Sequence, residues 1–419
     1  KQYHSNLDKS LVINGRESYD YIVIGSGSSG SVVASRLTET SDTVLLLEAG
    51  GADSDHRIQK PSSFPLLYGS EYDWGYNSEP QKNIDGSIIS SPRGKVFGGT
   101  SSINAMIYMR GSAYDYNEWE RLGFKGWGWE YVLPFFKKSE NNLSYPEGRF
   151  HGKQGPWNIS DIPEADIPEI QQIIQQAISE ELNIPIKDDL NGEDYQTEGS
   201  SNSQFNQYRA RRVSVSDSFL DNEVLQRNNL YIKLNTRVKK ILFDSDNKTA
   251  IGVEVFDSIT NLTRTIAANK EVILCAGAFN SPQILLLSGI GNRTELEKLN
   301  IKVIQDNPEV GKNLKDHLAT YISWEGKNIS DSIHALQFDW STYFHSLWQF
   351  YFSNDPNKTG LFGFHGSYAN AIFKSEIAKS KGESAPDIQI IGKTYIPSHN
   401  KNQKEVNKEN FPNGGFGVL

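Results

Sequence analysis

The stretch Tyr19-Asp-Tyr-Ile-Val-Ile-Gly-Ser-Gly-Ser-Ser-Gly30 joins a short apolar run to three glycines. The run at residues 21–24 predicts a buried strand of a parallel sheet. Gly25, Gly27 and Gly30 follow it in the spacing G-x-G-x-x-G, and a helix is predicted to start beside them. The first glycine permits a tight turn, the second lets a pyrophosphate approach the backbone, and the third lets the helix pack against the strand. The stretch therefore predicts a dinucleotide site.

A second apolar run, at residues 43–47, ends at the acidic residue Glu48. An acid about twenty positions after the glycines accepts hydrogen bonds from ribose hydroxyls in a site of this kind. Its negative charge would repel the 2′-phosphate of NADP, so the residues leave FAD and NAD as the possible cofactors. The N-terminus of the predicted helix adds free N–H groups and a positive dipole end for the phosphates.

The length and the net charge of the chain exclude some classes of protein. The 419 residues are enough for two or three domains, and their composition is that of an ordinary soluble globular protein. Lysine and arginine total 42 against 51 aspartate and glutamate, and the resulting net charge of −9 argues against a nucleic-acid partner. No apolar run approaches the length of a membrane span, so the sequence predicts no membrane-spanning segment.

The single cysteine and the glycosylation sequons bear on the compartment. Cys275 lies in an apolar run, which predicts a buried strand residue with an unreactive thiol, and no internal disulfide can form. Sequons of the form N-x-[ST] favour a secreted glycoprotein, with cytoplasmic residence as the alternative. They lie at Asn142, Asn158, Asn247, Asn261, Asn292, Asn328 and Asn357.

Two further segments are rich in glycine and small residues. The first is Pro92-Arg-Gly-Lys-Val-Phe-Gly-Gly-Thr-Ser-Ser-Ile-Asn-Ala-Met-Ile-Tyr-Met-Arg-Gly111, whose open backbone can lie flat against a ligand ring or a phosphate. The second is Ala276-Gly-Ala-Phe-Asn-Ser-Pro-Gln-Ile-Leu-Leu-Leu-Ser-Gly-Ile-Gly291. Here a strand end, a turn of small residues and a helix are predicted to bring backbone donors to the same edge of the sheet.

Together with the run V-G-K-N-L-K-D-H at residues 310–317, these motifs closely resemble the glucose-methanol-choline (GMC) oxidoreductases. The resemblance covers the chain from Tyr19 onward. The motifs D-W-G-Y-N-S-E-P around Trp74 and F-H-G-K-Q-G-P around His151 are most similar to the arthropod glucose-dehydrogenase-like branch. The resemblance implies FAD rather than NAD. Some family members carry a histidine that bonds covalently to the flavin where this chain has Asn104, so the FAD is expected to be non-covalent.

The resemblance also implies the fold. We expect an α/β protein with a Rossmann-like FAD-binding domain and a second α+β substrate domain built on an antiparallel sheet. The FAD-binding domain is expected to be discontinuous, at residues 19–160 and 211–315. The substrate-binding domain is expected at residues 161–210 and 316–419, incomplete at its C-terminus.

Matched position by position, the resemblance implies a set of cofactor-binding residues. Those expected at the ADP half are Gly25, Gly27, Ser28, Gly30, Glu48, Ala49 and Val238. Those expected at the flavin ring are Arg93, Gly98, Gly99, Thr100, Ser102, Asn104 and Ala105. Those expected near the pyrophosphate or the ribityl chain are Ala276, Gly277 and Ser281, and Ser29 and Trp74 complete the cofactor-binding set.

The chemistry implied by the resemblance is that of an alcohol or sugar dehydrogenase or oxidase (EC 1.1). A base takes the hydroxyl proton of a primary or secondary alcohol while hydride passes from carbon to flavin N5. A quinone, a dye-like compound or O₂ would reoxidise the flavin. The family's base is a histidine, paired with a second histidine or an asparagine. We expect that pair to lie beyond Leu419 and this chain alone to be inactive, so no catalytic residue is assigned.

Two other functions fit the same resemblance. One is a non-catalytic secreted protein of the same fold, allergen-like or structural. The other is a flavin-dependent lyase, in which the flavin is retained without alcohol oxidation. The eight histidines show no spacing typical of a metal site, so no metal is predicted.

Overall fold

The computed structural model describes residues 18–162, 167–192, 197–246, 249–320, 322–325, 340–352, 360–363, 366–393 and 415–418. The strands are β1 (Ser18–Ile24), β2 (Val44–Leu47), β3 (Tyr76–Asn77), β4 (Ser90–Ser91), β5 (Ile107–Tyr108), β6 (Glu140–Asn142), β7 (Trp157–Ile159), β8 (Ile186–Lys187), β9 (Gly199–Asn202), β10 (Gln204–Phe205), β11 (Gln207–Tyr208), β12 (Arg211–Arg212), β13 (Leu230–Lys233), β14 (Thr236–Phe243), β15 (Ala250–Asp257), β16 (Leu262–Leu274), β17 (Ile290–Gly291), β18 (Gln305–Asp306), β19 (Ile322–Glu325), β20 (Ser367–Phe373), β21 (Ile388–Lys393) and β22 (Gly415–Val418).

The α-helices are α1 (Ser28–Leu37), α2 (His56–Gln59), α3 (Ala113–Arg121), α4 (Trp129–Ser139), α5 (Glu169–Leu182), α6 (Val215–Phe219), α7 (Asn222–Leu225), α8 (Gly277–Leu287), α9 (Arg293–Lys298), α10 (Trp340–Phe352) and α11 (Glu376–Ser380). Short 3₁₀ turns lie at Pro61–Leu67, Lys82–Ile84, Gly99–Ser102 and Leu361–Gly363. None of the helices within the described ranges combines the length and the hydropathy that crossing a bilayer requires.

The first of two compact units contains a six-stranded sheet in the order β13-β2-β1-β16-β15-β14. Strands β13, β2, β1 and β16 run parallel, and β16, β15 and β14 continue the sheet antiparallel. Strand β2 is buried at all of its positions, as expected for a parallel strand covered on both faces. The predicted Rossmann-like fold, with its first strand, glycine turn and helix, is therefore confirmed.

The second unit contains another six-stranded sheet, in the order β19-β22-β21-β20-β9-β8. Its neighbouring strands run antiparallel, except that β8 and β9 are parallel. Helix α5 lies against this sheet, where the side-chain oxygen of Gln171 accepts the backbone N–H of Ala369 at 2.9 Å. The prediction of an antiparallel sheet with helices is therefore confirmed for this unit.

The boundary between the units differs from the predicted domain boundary. The first unit contains Phe64–Asn104, Val213–His317 and the described residues up to Gln59, whereas residues 105–160 group with the second unit. The reason is strand pairing: β5 pairs with β10, and Ser160 forms a bridge to Phe205. Both pairings connect residues 105–160 to the chain around residue 205, which the sequence motifs could not indicate.

Candidate cofactor-binding site

A cleft of about 560 Å³ lies in the first unit, where parallel strands β1, β2 and β16 end. Ligands of open α/β sheets bind at this carboxyl edge. The predicted site residues that line it are Gly25, Gly27, Ser28, Ser29, Glu48, Ala49, Trp74, Arg93, Gly99, Thr100, Val238, Ala276 and Gly277. Residues that were not predicted also line it: Ile24, Leu47, Gly94, Thr236, Arg237, Lys239, Cys275, Ala278, Phe279, Asn280, Gln283, Ile284 and Leu287.

The glycine turn after β1 forms one wall of the cleft. Gly25 has φ +96°, and a Cβ there would lie 2.6 Å from the carbonyl oxygen of Cys275. A Cβ at Gly30 would lie only 1.8 Å from the carbonyl oxygen of Gly25. Gly25 and Gly30 therefore serve the turn and the helix packing, as predicted. Gly27 is different: its φ is −70°, and a Cβ there would make only an ordinary contact, 3.9 Å from the Cα of Gly99.

Helix α1 starts in this wall. Its N-cap is Gly27, which offers no side-chain acceptor to the first N–H groups of the helix. Ser28 and Ser29, in the first turn, line the cleft. A helix N-terminus with open N–H groups and a positive dipole end is suited to bind a phosphate.

The glycine-rich segment at residues 92–111, the second glycine segment, lies against the glycine turn after β1. Gly99 has φ +56°, and a Cβ there would lie 2.7 Å from the Cα of Gly27, so the two backbones touch. The Gly94 N–H donates to the side-chain oxygen of Thr100 at 3.1 Å, which fixes the turn between them. This approach brings two segments that are far apart in the sequence into the lining of one cleft.

Glu48 is the buried acid of the cleft. It is 5 % exposed. Its Oε2 accepts the N–H and the hydroxyl of Ser26 at 3.0 and 2.7 Å, and its Oε1 accepts the N–H of Gly50 at 2.9 Å. Burial raises the pKa of the carboxyl, and the hydrogen bonds from Gly50 and Ser26 oppose that rise. The acid predicted to receive ribose hydroxyls thus already binds its own chain, with acceptor capacity remaining.

Three aromatic rings and two cations pack together beside the cleft, and Trp74, Arg93 and Phe279 of this group line it. The Trp74 and Tyr76 rings are 5.8 Å apart and nearly parallel, and the Tyr76 and Phe279 rings are 5.6 Å apart. Lys95 lies 5.1 Å above the Trp74 ring, and the Arg93 guanidinium lies 4.8 Å above the Phe279 ring. Cation–π attraction of this kind holds the charged groups in place. The guanidinium predicted to border the flavin therefore has a fixed position on the cleft wall.

Cys275 differs from its predicted position. It follows the last residue of β16 and lines the cleft half-buried, rather than lying inside the strand. Burial raises the pKa of its thiol, in agreement with the predicted low reactivity.

Some predicted site residues do not line the described walls of the cleft: Gly30, Gly98, Ser102, Asn104, Ala105 and Ser281. Ser102 is fully buried and donates to the carbonyl oxygen of Phe97 at 2.7 Å, so it supports the second glycine segment from behind. The backbone N–H of Asn104 donates to the carbonyl oxygen of Thr100 at 2.9 Å. Ala105 groups with the second unit. A direct contact of these residues with a cofactor stays a prediction.

A second buried polar cluster lies in the second unit and contains none of the predicted site residues. The Arg110 guanidinium donates to Oε2 of Glu140 at 2.7 Å, and both side chains are fully buried. His151 contacts Oε1 of Glu140 at 3.1 Å through Nδ1 and Oδ2 of Asp189 at 2.7 Å through Nε2. Burial alone would lower the pKa of His151, but Asp189 and Glu140 raise it to about 9. The sequence identified His151 only as part of the F-H-G-K-Q-G-P motif.

The same cluster affects one glycosylation sequon. Asn142 is fully buried, and its amide donates to Oε1 of Glu140 at 2.9 Å. A glycan therefore cannot be attached to Asn142 in the folded chain. Asn261 is exposed at the turn before β16, which is the kind of position where a glycan can project.

A family model described as GMC oxidoreductase matches residues 19–319. The chain is 42% identical over 331 residues to "Glucose dehydrogenase [FAD, quinone]" of Drosophila melanogaster, covering 77% of this chain and 51% of that protein. It is 41% identical over 315 residues to "Oxygen-dependent choline dehydrogenase" of Cronobacter sakazakii, covering 74% of this chain and 55% of that protein.

Among solved structures, the chain resembles the crystal structure of pyridoxine 4-oxidase from Mesorbium loti. The TM-score is 0.77 at 26% identity, and the match covers 96% of this chain and 70% of that one. The chain spans about half the length of the curated relatives that it matches.

Proposed function

We propose that this chain, which belongs to the GMC oxidoreductase family, binds FAD in the cleft of its first unit and forms part of an enzyme that oxidises an alcohol or a sugar. One observation carries the proposal. The glycine turn, the buried acid and the second glycine segment, predicted separately from the sequence, form the walls of a single cleft at the carboxyl edge of the parallel sheet.

The residues of the cleft fit FAD chemically. The uncapped N-terminus of α1 and the bare backbone at Gly27 suit a pyrophosphate, because phosphates bind at helix N-termini where no side chain intervenes. Glu48 suits the ribose hydroxyls of the adenosine half. Gly99, Thr100 and Arg93 would border the flavin half. A cation at that end also suits a ring that gains negative charge when it is reduced.

FAD, when bound, supplies an acceptor for the hydride that leaves the alcohol carbon. The chain's own residues bind and orient that acceptor. No histidine lines the cleft within the described ranges, and His151 is engaged by Glu140 and Asp189 in the second unit. The catalytic base is therefore not assigned to a residue of this chain.

The test is direct FAD binding, measured by the visible absorption of the purified protein and by a titration of FAD fluorescence. Gly27→Val places a side chain in the cleft without a backbone clash, so we expect it to weaken FAD binding at least about tenfold while the protein still folds. Gly148→Val is the matched control, because a Cβ at Gly148 would meet no atom within 4 Å. Failure of the unaltered protein to bind FAD, or equal binding by G27V, would overturn the proposal.

The substrate and the acceptor are the finer parts of the proposal. The two relatives are named for glucose and for choline, and their names carry quinone and oxygen respectively. Since this chain alone is expected to be inactive, a screen of alcohols and sugars with a quinone, a dye and O₂ as acceptors completes the test on the flavin-loaded native protein. Bleaching of the flavin by one alcohol would support oxidation, and cleavage of a cyanohydrin without bleaching would favour a lyase.

For localisation, we propose secretion, supported by the sequons of the chain and by the exposure of Asn261. The native protein should then lose mass when treated with an N-glycosidase, and Asn261→Gln should remove one glycan. An unchanged mass would count against secretion without affecting the proposal for FAD.

A further inference from the structure

We propose that Ser26 is a positioning residue for the cofactor: its hydroxyl holds the Glu48 carboxylate in the orientation that receives the ribose hydroxyls. The inference rests on the proposed function, since it assumes that the cleft takes an adenine dinucleotide. Ser26 is the first variable residue of the glycine turn and was not among the predicted site residues.

Ser26 lies behind the cleft wall rather than in it. The residue is fully buried and does not line the cleft, whereas its neighbours Gly25 and Gly27 do. Its hydroxyl donates to Oε2 of Glu48 at 2.7 Å, and its N–H donates to the same oxygen at 3.0 Å. Any effect of Ser26 on a ligand must therefore pass through Glu48 or through the backbone of the turn.

Glu48 depends on these donors for its orientation. In the part of the chain that the structure describes, no lysine or arginine forms an ion pair with Glu48. Its carboxylate is held by the hydroxyl and the N–H of Ser26 and by the N–H of Gly50 at 2.9 Å, and the backbone of Ala49 also hydrogen-bonds to it. Among the described residues, Ser26 supplies the one side-chain donor to Glu48, and its contact of 2.7 Å is shorter than those of the Ser26 and Gly50 N–H groups. Removing it leaves backbone donors alone, which hold the carboxylate less firmly.

The hydroxyl is itself anchored from the other side. The N–H of Gly98, in the second glycine segment, donates to the Ser26 oxygen at 3.2 Å. The carbonyl oxygen of Gly98 accepts the hydroxyl of Ser101 at 2.6 Å, and that hydroxyl accepts the N–H of Val215 at 3.0 Å. Since every group in this chain of hydrogen bonds is buried, the Ser26 hydroxyl has one direction in which to donate, toward Glu48.

A positioning role of Ser26 should affect only ligands that have ribose hydroxyls. A hydrogen bond between a carboxylate and a hydroxyl contributes only when the carboxylate is correctly placed. Ser26→Ala should therefore weaken the binding of a nucleotide that has ribose hydroxyls and leave the binding of one without them unchanged. A residue that merely supported the shape of the turn would affect both nucleotides alike.

The experiment compares ADP with 2′,3′-dideoxy-ADP, both measured by competition against bound FAD. In the unaltered protein we expect ADP to bind about tenfold more tightly than the dideoxy analogue, as for one hydrogen bond to a charged group. In S26A that preference should fall to about twofold, with the affinity for the analogue unchanged. Glu48→Gln should remove the preference as well, and the double variant should lose no more than E48Q alone.

Ser35→Ala is the matched control, because Ser35 is a buried serine of helix α1 that does not line the cleft. Ser26→Gly removes the same hydroxyl and serves if S26A does not fold. Equal weakening of both nucleotides, or an undiminished preference for ADP in S26A, overturns the inference. A protein that binds FAD but does not distinguish the two nucleotides also overturns it while leaving the proposed function intact. Failure to bind FAD at all overturns the proposed function instead.

Discussion

Glu48 in the first unit and Glu140 in the second are both almost completely buried, but they are held in opposite ways. Within the described residues, Glu48 is bound by neutral donors, the groups of Ser26 and the backbone of Ala49 and Gly50. Glu140 is bound by the guanidinium of Arg110 and by the ring of His151. Burial dominates at Glu48 and raises its pKa. Burial also tends to raise the pKa of Glu140, but His151 and Arg110 outweigh this effect and lower the pKa.

The difference separates a binding residue from a structural one. A buried carboxylate whose charge is matched by cations has little to gain from another donor. A buried carboxylate without a cation still gains when a further donor arrives, and Glu48 stands where a ligand can supply one. A buried acid held by neutral donors beside an open cleft is thus a better indicator of a binding site than a buried ion pair.

The largest expected effect comes from breaking the ion cluster of the second unit. Arg110→Met removes the cation that contacts Glu140 and leaves a buried charge with only part of its partners. We expect the free energy of unfolding to fall by about 3–5 kcal/mol, as for other buried pairs that lose one partner. Urea denaturation monitored by circular dichroism measures the change.

The matched control for this variant is Arg121→Met. Arg121 forms an exposed pair with Glu118 on helix α3, and such pairs contribute about 0–1 kcal/mol. If R110M and R121M lowered the stability equally, the ion cluster would not have the structural role assigned to it.

The next effect is a pH dependence. His151 has a pKa of about 9 in the folded chain, above its ordinary value of 6.5. A raised histidine pKa stabilises the fold fully below pH 6.5, and this stabilisation is lost as the pH rises through 9. The shift corresponds to a contribution on the order of 3 kcal/mol.

The measurement is the free energy of unfolding between pH 6 and 10, for the unaltered protein and for His151→Gln. The difference between the two should shrink toward alkaline pH, because the charge of His151 is lost there. A difference that stays constant across this range would show that His151 is neutral in the folded chain.

The smallest expected change in free energy comes from Glu48→Gln. It tests whether Glu48 is a binding residue and Glu140 a structural one. Glu48→Gln keeps the shape of the side chain but removes the charge, so we expect FAD affinity to fall about tenfold, or about 1.4 kcal/mol. The stability should not fall appreciably at pH 7, because ionisation of an acid with a raised pKa opposes folding. FAD titration and urea denaturation together measure both quantities.

R110M is the control for E48Q, because it is expected to lose stability but to keep its FAD affinity. Under conditions where R110M is folded, its FAD affinity should lie within about twofold of that of the unaltered protein. The FAD affinity of E48Q should be about tenfold lower. Loss of stability in E48Q without loss of FAD affinity would make Glu48 a structural residue like Glu140.

The sequence predicted the parts of the site that depend on local spacing. Gly25 and Gly30 are five positions apart, and their turn and packing roles follow from the motif itself. The second glycine segment was predicted by its composition, and its backbone does approach Gly27. The fold class followed from the same motifs, because a strand, glycine turn and helix in that order determine a parallel arrangement.

The sequence did not predict contacts between distant positions. Ser26 is separated by 22 positions from Glu48 and by 72 from Gly98, and a serine at a variable place in the motif carries no signal of either contact. His151 meets Asp189 across 38 positions for the same reason. The compact units divide the chain after Asn104 rather than after residue 160, because residues 105–160 pair with segments that follow residue 200.

One feature of the cleft makes the protein convenient for spectroscopy. Cys275 is the only cysteine of the chain, and its half-buried thiol forms part of the cleft wall. A thiol-directed fluorophore or spin label would therefore attach to this chain at one known position beside the ligand. Labelling would be fastest at alkaline pH, where the thiol ionises, and a bound ligand would slow it by covering the sulfur. The native sequence thus supplies its own reporter of cleft occupancy.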